Sequence, residues 1–174
     1  MVRCISKKGR HIFNLMTTKV KPIPDGYHSV TPYLIAKNAA QAIEFYKRAF
    51  GAKEHARMPM PDGRVGHAEL VIGDSMIMLS DEFPERGSQS PQTLNGSPVG
   101  FALYVENIDE SFQRAVQAGA IVKEPITLQF WGDRAGSVVD PFGYQWTLLT
   151  HVEDVTPEET KKRMDKMFSG DPAQ

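Results

Sequence analysis

Apolar residues recur along this chain in two rhythms, and each rhythm occurs twice. The run from Val30 to Asn38 is mostly apolar and ends at an asparagine, and the run from Val99 to Asn107 repeats it 69 positions later. After each asparagine the apolar spacing becomes helical. Ala39, Ile43, Tyr46 and Phe50 form the first stripe; Ile108, Phe112, Ala115 and Val116 form the second. Asn38, and either Asn107 or Asp109, are placed to cap the orphan amides at the helix starts. Gly51 and Gly119 suit the left-handed residue just past each helix end.

Three strand patterns follow each helix. In the first half they are Glu54–Met58, Val65–Ile72 and Met76–Ser80, separated by Pro61-Asp62-Gly63 and Gly73-Asp74. In the second half they are Ile126–Phe130, Ala135–Val139 and Tyr144–His151. Asp140-Pro141-Phe142-Gly143 puts Asp, Pro and Gly where a type I turn prefers them. Each half therefore reads βαβββ, and the fold class is α+β. Phe83 to Pro98, with three prolines, two glycines and three serines, reads as a linker. Thr156-Pro157-Glu158-Glu159 is a capping box with proline in the first turn, so a further helix starts there. Its stripe of Met164, Met167 and Phe168 is expected to dock on the chain's own sheet. The expected organisation is an extension over 1–25, a first module over 26–82, a linker over 83–98, a second module over 99–152, and a helix with its tail over 153–174.

Charge removes several classes of function. Lys and Arg number 20 against 21 Asp and Glu, which leaves no electrostatic footprint for nucleic acid. No apolar run approaches the roughly 20 residues that cross a bilayer. Cys4 is the single cysteine, so no intrachain disulfide forms, which fits a reducing, cytoplasmic setting. The first acidic residue is Asp25, after Arg3, Lys7, Lys8, Arg10, Lys19 and Lys21. Such a start suits an organelle transit segment, or an extension ahead of a second start at Met16.

Local sequences carry a resemblance. They are Pro32-Tyr-Leu, Ala42-Ile-Glu-Phe-Tyr46, His67-Ala-Glu-Leu-Val-Ile-Gly-Asp-Ser75, Met78-Leu-Ser-Asp81, Trp131-Gly-Asp-Arg134 and Asp140-Pro-Phe-Gly-Tyr-Gln-Trp146. In this order, with two βαβββ halves, the chain resembles the vicinal-oxygen-chelate superfamily, and within it the PhnB-like glyoxalase subgroup. That superfamily contains glyoxalase I, extradiol dioxygenases and bleomycin-resistance proteins. The resemblance implies cupped mixed sheets around a cavity, often in a homodimer, with modules paired within or between chains. Metal-using members place ligands early on the first strand and midway along the last strand of each half. Those positions fall here on Thr31, Gly100, Met78 and Thr147. None offers an imidazole or carboxylate, so neither a resident metal nor another cofactor is expected.

Other polar residues are candidates for the chemistry. His67 and Glu69, two apart on a strand, share one face and suit acid–base work. With Asp81 they form the alternative set for a displaced metal. Trp131 and Arg134 suit an anionic or planar ligand, unless Arg134 instead ties its loop to Asp140. Tyr144 and Trp146 line the cup or fill a core. Met58, Met60, Met76 and Met78 suit a cavity that accepts several shapes, or ordinary packing. His151, near a strand end, reads as a hydrogen-bonded surface histidine. The expected function is metal-independent small-molecule binding of the glyoxalase/bleomycin-resistance type. A lyase or isomerase using His67 and Glu69 or a displaced metal is the alternative, and an interaction module with a vestigial cup a third.

Overall fold

The structure, a computed structural model, describes residues 20–169. The basic start up to residue 19 lies outside the described residues, and residues 20–25 carry no helix or strand. The first module is β1 (Tyr33–Ala36), α1 (Ala39–Phe50), β2 (Lys53–Pro59), β3 (Val65–Ile72) and β4 (Ser75–Asp81). A 3-10 turn at Pro84–Arg86 and a one-turn helix α2 (Pro91–Leu94) occupy the segment read as a linker. The second module is β5 (Gly100–Tyr104), α3 (Ile108–Ala118), β6 (Ile121–Leu128), β7 (Asp133–Val139) and β8 (Gln145–His151). Helix α4 (Pro157–Phe168) follows.

The caps sit where side-chain chemistry puts them. Asn38 accepts from the Gln41 amide and Asn107 from the Glu110 amide, while Gly51 and Gly119 take the left-handed conformation. Two strands differ from expectation. β1 begins at Tyr33 rather than Val30, just after Pro32, which has no amide to give a ladder. β6 begins at Ile121, five residues early, through Lys123-Glu124-Pro125. It is an edge strand, where proline and charge are tolerated, and its register slips on both sides of Glu124.

The sheets have the orders β1-β4-β3-β2 and β5-β8-β7-β6, with only the first pair of each parallel. Tyr33 faces Met78 and Ala102 faces Thr147, so the shift of 69 holds across both parallel pairs. It drops to 68 at β3 and β7, where Glu69 faces Met78 and Ser137 faces Thr147. The cause is the hairpin. Gly73 and Asp74 alone lie between Ile72 and Ser75, whereas Asp140 to Tyr144 lie between Val139 and Gln145.

α1 packs on the first sheet, α3 on the second, and the two helices on each other. Among the described residues the backbones of the two sheets stay apart, with the helices meeting between them. The core therefore lies between the sheets, and each sheet turns its second face away from the helices. Leu34, Leu70 and Leu79 meet Phe45 and Tyr46 in one cluster that extends to Phe112, Trp146 and Leu148. At its centre the buried Asp140 carboxylate accepts from the Tyr46 hydroxyl (2.8 Å), the Trp146 indole (2.9 Å) and the Phe142 and Tyr144 amides (2.8 and 2.9 Å). The Tyr144 hydroxyl accepts from Ile35 N and donates to Ile35 O, which satisfies the free edge of β1 from the other module.

α4 corrects an expectation. Its cap forms, with Thr156 accepting from the Glu159 amide, but among the described residues the helix packs on no other element and buries none of its own residues. Met167 and Phe168 are largely exposed. The chain leaving β8 is clamped first, since the Val152 and Glu153 amides both donate to Gly132 O. Arg163 then pairs with Glu153 at 2.7 and 2.8 Å, folding the helix onto its own leader segment.

Asp140→Ala would leave two side-chain donors and two amides buried without an acceptor. It is expected to cost about 3–5 kcal/mol in urea unfolding, against about 0.5 kcal/mol or less for the exposed Asp74→Ala. Gly132 has φ 98°, and a Cβ there would overlap the Glu153 carbonyl. Gly132→Ala is therefore expected to cost on the order of 3 kcal/mol in the same measurement.

Candidate functional site

Strand alternation and the register decide what the face of the first sheet away from α1 carries. Tyr33, Met78 and Glu69 form its central row, with Ser80, His67 and Met58 beside them. The Tyr33 hydroxyl lies 3.1 Å from His67 Nδ1, and His67 Nε2 lies 3.1 Å from Glu69 Oε1. Glu69 Oε2 faces His55 Nε2 at 3.8 Å, where a register slip in β2 sets His55 out of the ladder. Hydrogen bonds from Tyr27 and then His67 hold the Glu69 carboxyl below its ordinary value. An ionised carboxylate only accepts, so Nε2 donates to it; in a neutral imidazole Nδ1 then accepts, and Tyr33 donates. The tautomer is set by this network.

The structure brings His67 and Glu69 together on one face, with Met78 beside them. It does not bring Asp81. That carboxylate is buried on the helix side, accepting from Ala39 N at the start of α1 (2.8 Å) and from Val65 N (2.6 Å). Asp81 is one residue out of phase with Ser80 on β4, which puts it on the opposite face. The set of His67, Glu69 and Asp81 is thereby corrected. Tyr33, Tyr27 and His55 were missed as site residues; the signal for Tyr33 was the parallel register, which sequence alone does not show.

The corresponding face of the second sheet carries a different row. Thr147 lies 3.1 Å from Ser137, and the Ser137 hydroxyl donates to Glu124 Oε2 at 3.0 Å. With that proton committed, Thr147 is the donor to Ser137. Above them is a hollow of about 450 Å³, lined by Glu124, Gln129, Trp131, Ser137, Gln145 and Thr147. Its Trp131 indole N–H is already used on Asp133 Oδ2 (2.9 Å). The same buried carboxylate accepts from the Tyr104 hydroxyl (2.9 Å) and meets His151 Nδ1 (2.7 Å). Burial alone would raise Asp133, but donation from His151, Tyr104 and Trp131 outweighs it and holds the carboxyl low. Asp154 on Nε2 and Asp133 on Nδ1 raise His151 above 6.5.

Three expected ligand contacts are engaged elsewhere in the single chain. Arg134 points to the helix side of β7 and makes a two-pronged pair with Asp109 in the first turn of α3, at 2.6 and 2.9 Å. It meets neither Trp131's hollow nor Asp140. Trp146 and Tyr144 belong to the core around Asp140, on the side facing α1. Trp146 only borders a separate hollow of about 550 Å³ between the β3–β4 hairpin and β5.

Donor chemistry does not fit a metal at the four positions that the resemblance assigns to ligands. Thr31 lies ahead of β1 with its hydroxyl on the His28 carbonyl at 3.3 Å. Gly100 opens β5 without a side chain, and Met78 and Thr147 offer a thioether and a neutral hydroxyl. Among the described residues no three His, Cys, Asp or Glu side chains are grouped to hold a metal ion, and no helix is long and apolar enough to cross a membrane.

Two βαβββ modules with hydrogen-bonded rows on the sheet faces turned away from the helices define a paired-module α+β protein with two four-stranded mixed sheets. The sequence profile of the Glyoxalase/Bleomycin resistance protein/Dioxygenase superfamily matches residues 26–148. The chain belongs to that superfamily. It is 41% identical over 145 residues to the protein Rv0887c of Mycobacterium tuberculosis, covering 82% of this chain and 85% of that one. Among solved structures, the At5g48480 product of Arabidopsis thaliana is 28% identical, with a TM-score of 0.57 over 70% of this chain and 98% of that one. TioX from Micromonospora sp. ML1 is 26% identical, with a TM-score of 0.55 over 71% and 98%.

Arg134→Ala breaks an exposed pair, so its expected cost is at most about 1 kcal/mol, with ligand affinity unchanged by calorimetry. His151 has the opposite use, as a source of pH dependence. Its folded pKa lies above the unfolded value, so its contribution is complete below 6.5 and is lost as pH rises through the folded value. Unfolding stability measured above pH 6.5 should fall with a slope that His151→Gln flattens.

Proposed function

We propose that this protein binds a small molecule in the manner of the glyoxalase/bleomycin-resistance proteins and does so without a resident metal. One observation carries the reading: the faces of both sheets turned away from the helices hold ordered polar rows, while the metal-ligand positions hold Thr31, Gly100, Met78 and Thr147. Ordered polar groups on an otherwise apolar face fix a ligand's orientation. Met58, Met76 and Met78 add a surface that adapts to shape.

The working unit is a homodimer. Tyr33, Met58, Tyr104 and Ile121 are all exposed in the single chain, on faces that the helices do not cover. Setting the first sheet of one copy against the second sheet of its partner covers both and encloses the ligand. The local sequences around His67 and Asp140 support a place in the PhnB-like subgroup. The single cysteine and the charge balance support a cytoplasmic setting with no nucleic-acid or membrane partner.

A second reading, a lyase- or isomerase-type enzyme, is favoured by one contact, the His67–Glu69 hydrogen bond. A displaced metal has less support, because Asp81 faces away and leaves His67 and Glu69 without it. Light scattering is expected to return twice the chain mass. Thermal-shift screening of small molecules should find stabilisers whose effect survives dialysis against chelator. Near-stoichiometric metal that withstands that dialysis, or stabilisation that vanishes with it, would overturn the metal-independent reading.

A further inference from the structure

We propose that the ligand of this cup is a hydrogen-bond donor carrying positive charge, namely an amine on an apolar body, recognised by Glu69 of one sheet and Glu124 of the other. The inference rests on the small-molecule reading above and gives it a chemical class. It follows from which way the hydrogen bonds run in the two rows.

On the first sheet Glu69 accepts from Tyr27 and from His67 Nε2, and with the imidazole neutral Tyr33 donates to Nδ1. Tyr33 spends its proton on His67 Nδ1, so its oxygen presents only lone pairs to a ligand. On the second sheet the order is Thr147 to Ser137 to Glu124. Thr147 spends its proton on Ser137, and its oxygen likewise presents lone pairs. Tyr33 and Thr147 stand in the central rows of their sheets, opposite Met78 and Ala102 respectively. Both rows therefore end on a carboxylate and offer acceptors outward. An anionic ligand would meet lone pairs and two carboxylates, whereas an ammonium N–H would meet acceptors on each wall.

Among the described residues no lysine or arginine is hydrogen-bonded to the Tyr33 or Thr147 oxygen, and His151 is held between Asp133 and Asp154. Arg134 is held on the helix side by Asp109. Lys123 gives its ammonium to Gln145 Oε1 at 2.6 Å. His55 faces Glu69 at 3.8 Å from an exposed position, and Lys53 stands at the edge of the sheet opposite Val71. None of these points at the Tyr33 or Thr147 oxygen by any hydrogen bond. Trp131 borders the second row with its N–H already committed, which leaves its indole ring as a surface for a cation or an apolar body.

Two probes of similar shape and opposite charge test the proposal: 2-phenylethylammonium and 3-phenylpropionate, titrated into the full-length protein by calorimetry and by amide chemical shifts. The expected result is binding of the cation at least about tenfold tighter than the anion, with shifts at His67, Glu69, Ser137 and Thr147. Glu69→Gln and Glu124→Gln should each weaken the cation by about tenfold and narrow the preference, while Glu158→Gln on α4 changes neither. The two Gln variants lie on different sheets, and unchanged unfolding midpoints keep folding apart from binding. An anion bound as tightly as the cation, no cation binding at millimolar concentration, or a preference unchanged in both variants would overturn the proposal. Anion binding with shifts at those same residues would leave the small-molecule reading standing and remove only the charge class. A monomer that binds neither probe, and that no screened compound stabilises, would remove both.

Discussion

The Asp140 carboxylate sets the relation between the two modules, because donors from α1, β8 and its own turn converge on it away from water. Tyr46 reaches it from the first module, while Trp146 and two amides reach it from the second. Burial raises its pKa despite those four donors, a sign of how much solvation it has given up. A buried charge with that many fixed partners tolerates little displacement of any of them. Tyr144, held in the same turn, then closes the free edge of β1 through Ile35. One five-residue loop thus does three things: it joins β7 to β8, anchors α1, and caps the neighbouring sheet.

That anchoring decides where ligand chemistry can occur. With α1 and α3 held together between the sheets, the apolar cluster fills the inside and the polar rows face outward. Residues on the helix side serve packing even when charged: Asp81 caps α1, and Arg134 ties β7 to α3. Residues one position away, such as Ser80 or Asp133, belong to the other face. The two rows are not copies of each other. The longer turn at Asp140 shifts β7 by one residue relative to β3, which sets Ser137 rather than Val138 opposite Thr147. Glu124 supplies the second carboxylate from a register slip in β6.

Expected and observed features divide along a physical line. Asn38, Asn107, Gly51, Gly119 and Thr156 act where they were read, because capping depends on a few adjacent residues. The pairing of His67 with Glu69 was legible for the same reason, since two positions apart on a strand means one face. The partner of Arg134 was not legible. Asp109 lies 25 residues away on a helix, and Asp140 was nearer in sequence but already surrounded. Trp146 read as cup lining or, more readily, as core, and α1 behind β8 decides for the core.

The sequence by itself determined the two βαβββ units, their repeat, their caps and turns, and the family to which these belong. Periodicity and local hydrogen bonding are properties of neighbouring residues, and they survive without knowledge of the whole. The tertiary structure alone decided that the helices meet between the sheets, that α4 folds back on its leader through Arg163 and Glu153, and that Tyr33 completes the row begun by Glu69. Those outcomes depend on contacts between segments far apart in the chain. There, a one-residue change of phase moves a side chain from core to surface, and burial rather than propensity chooses the partner.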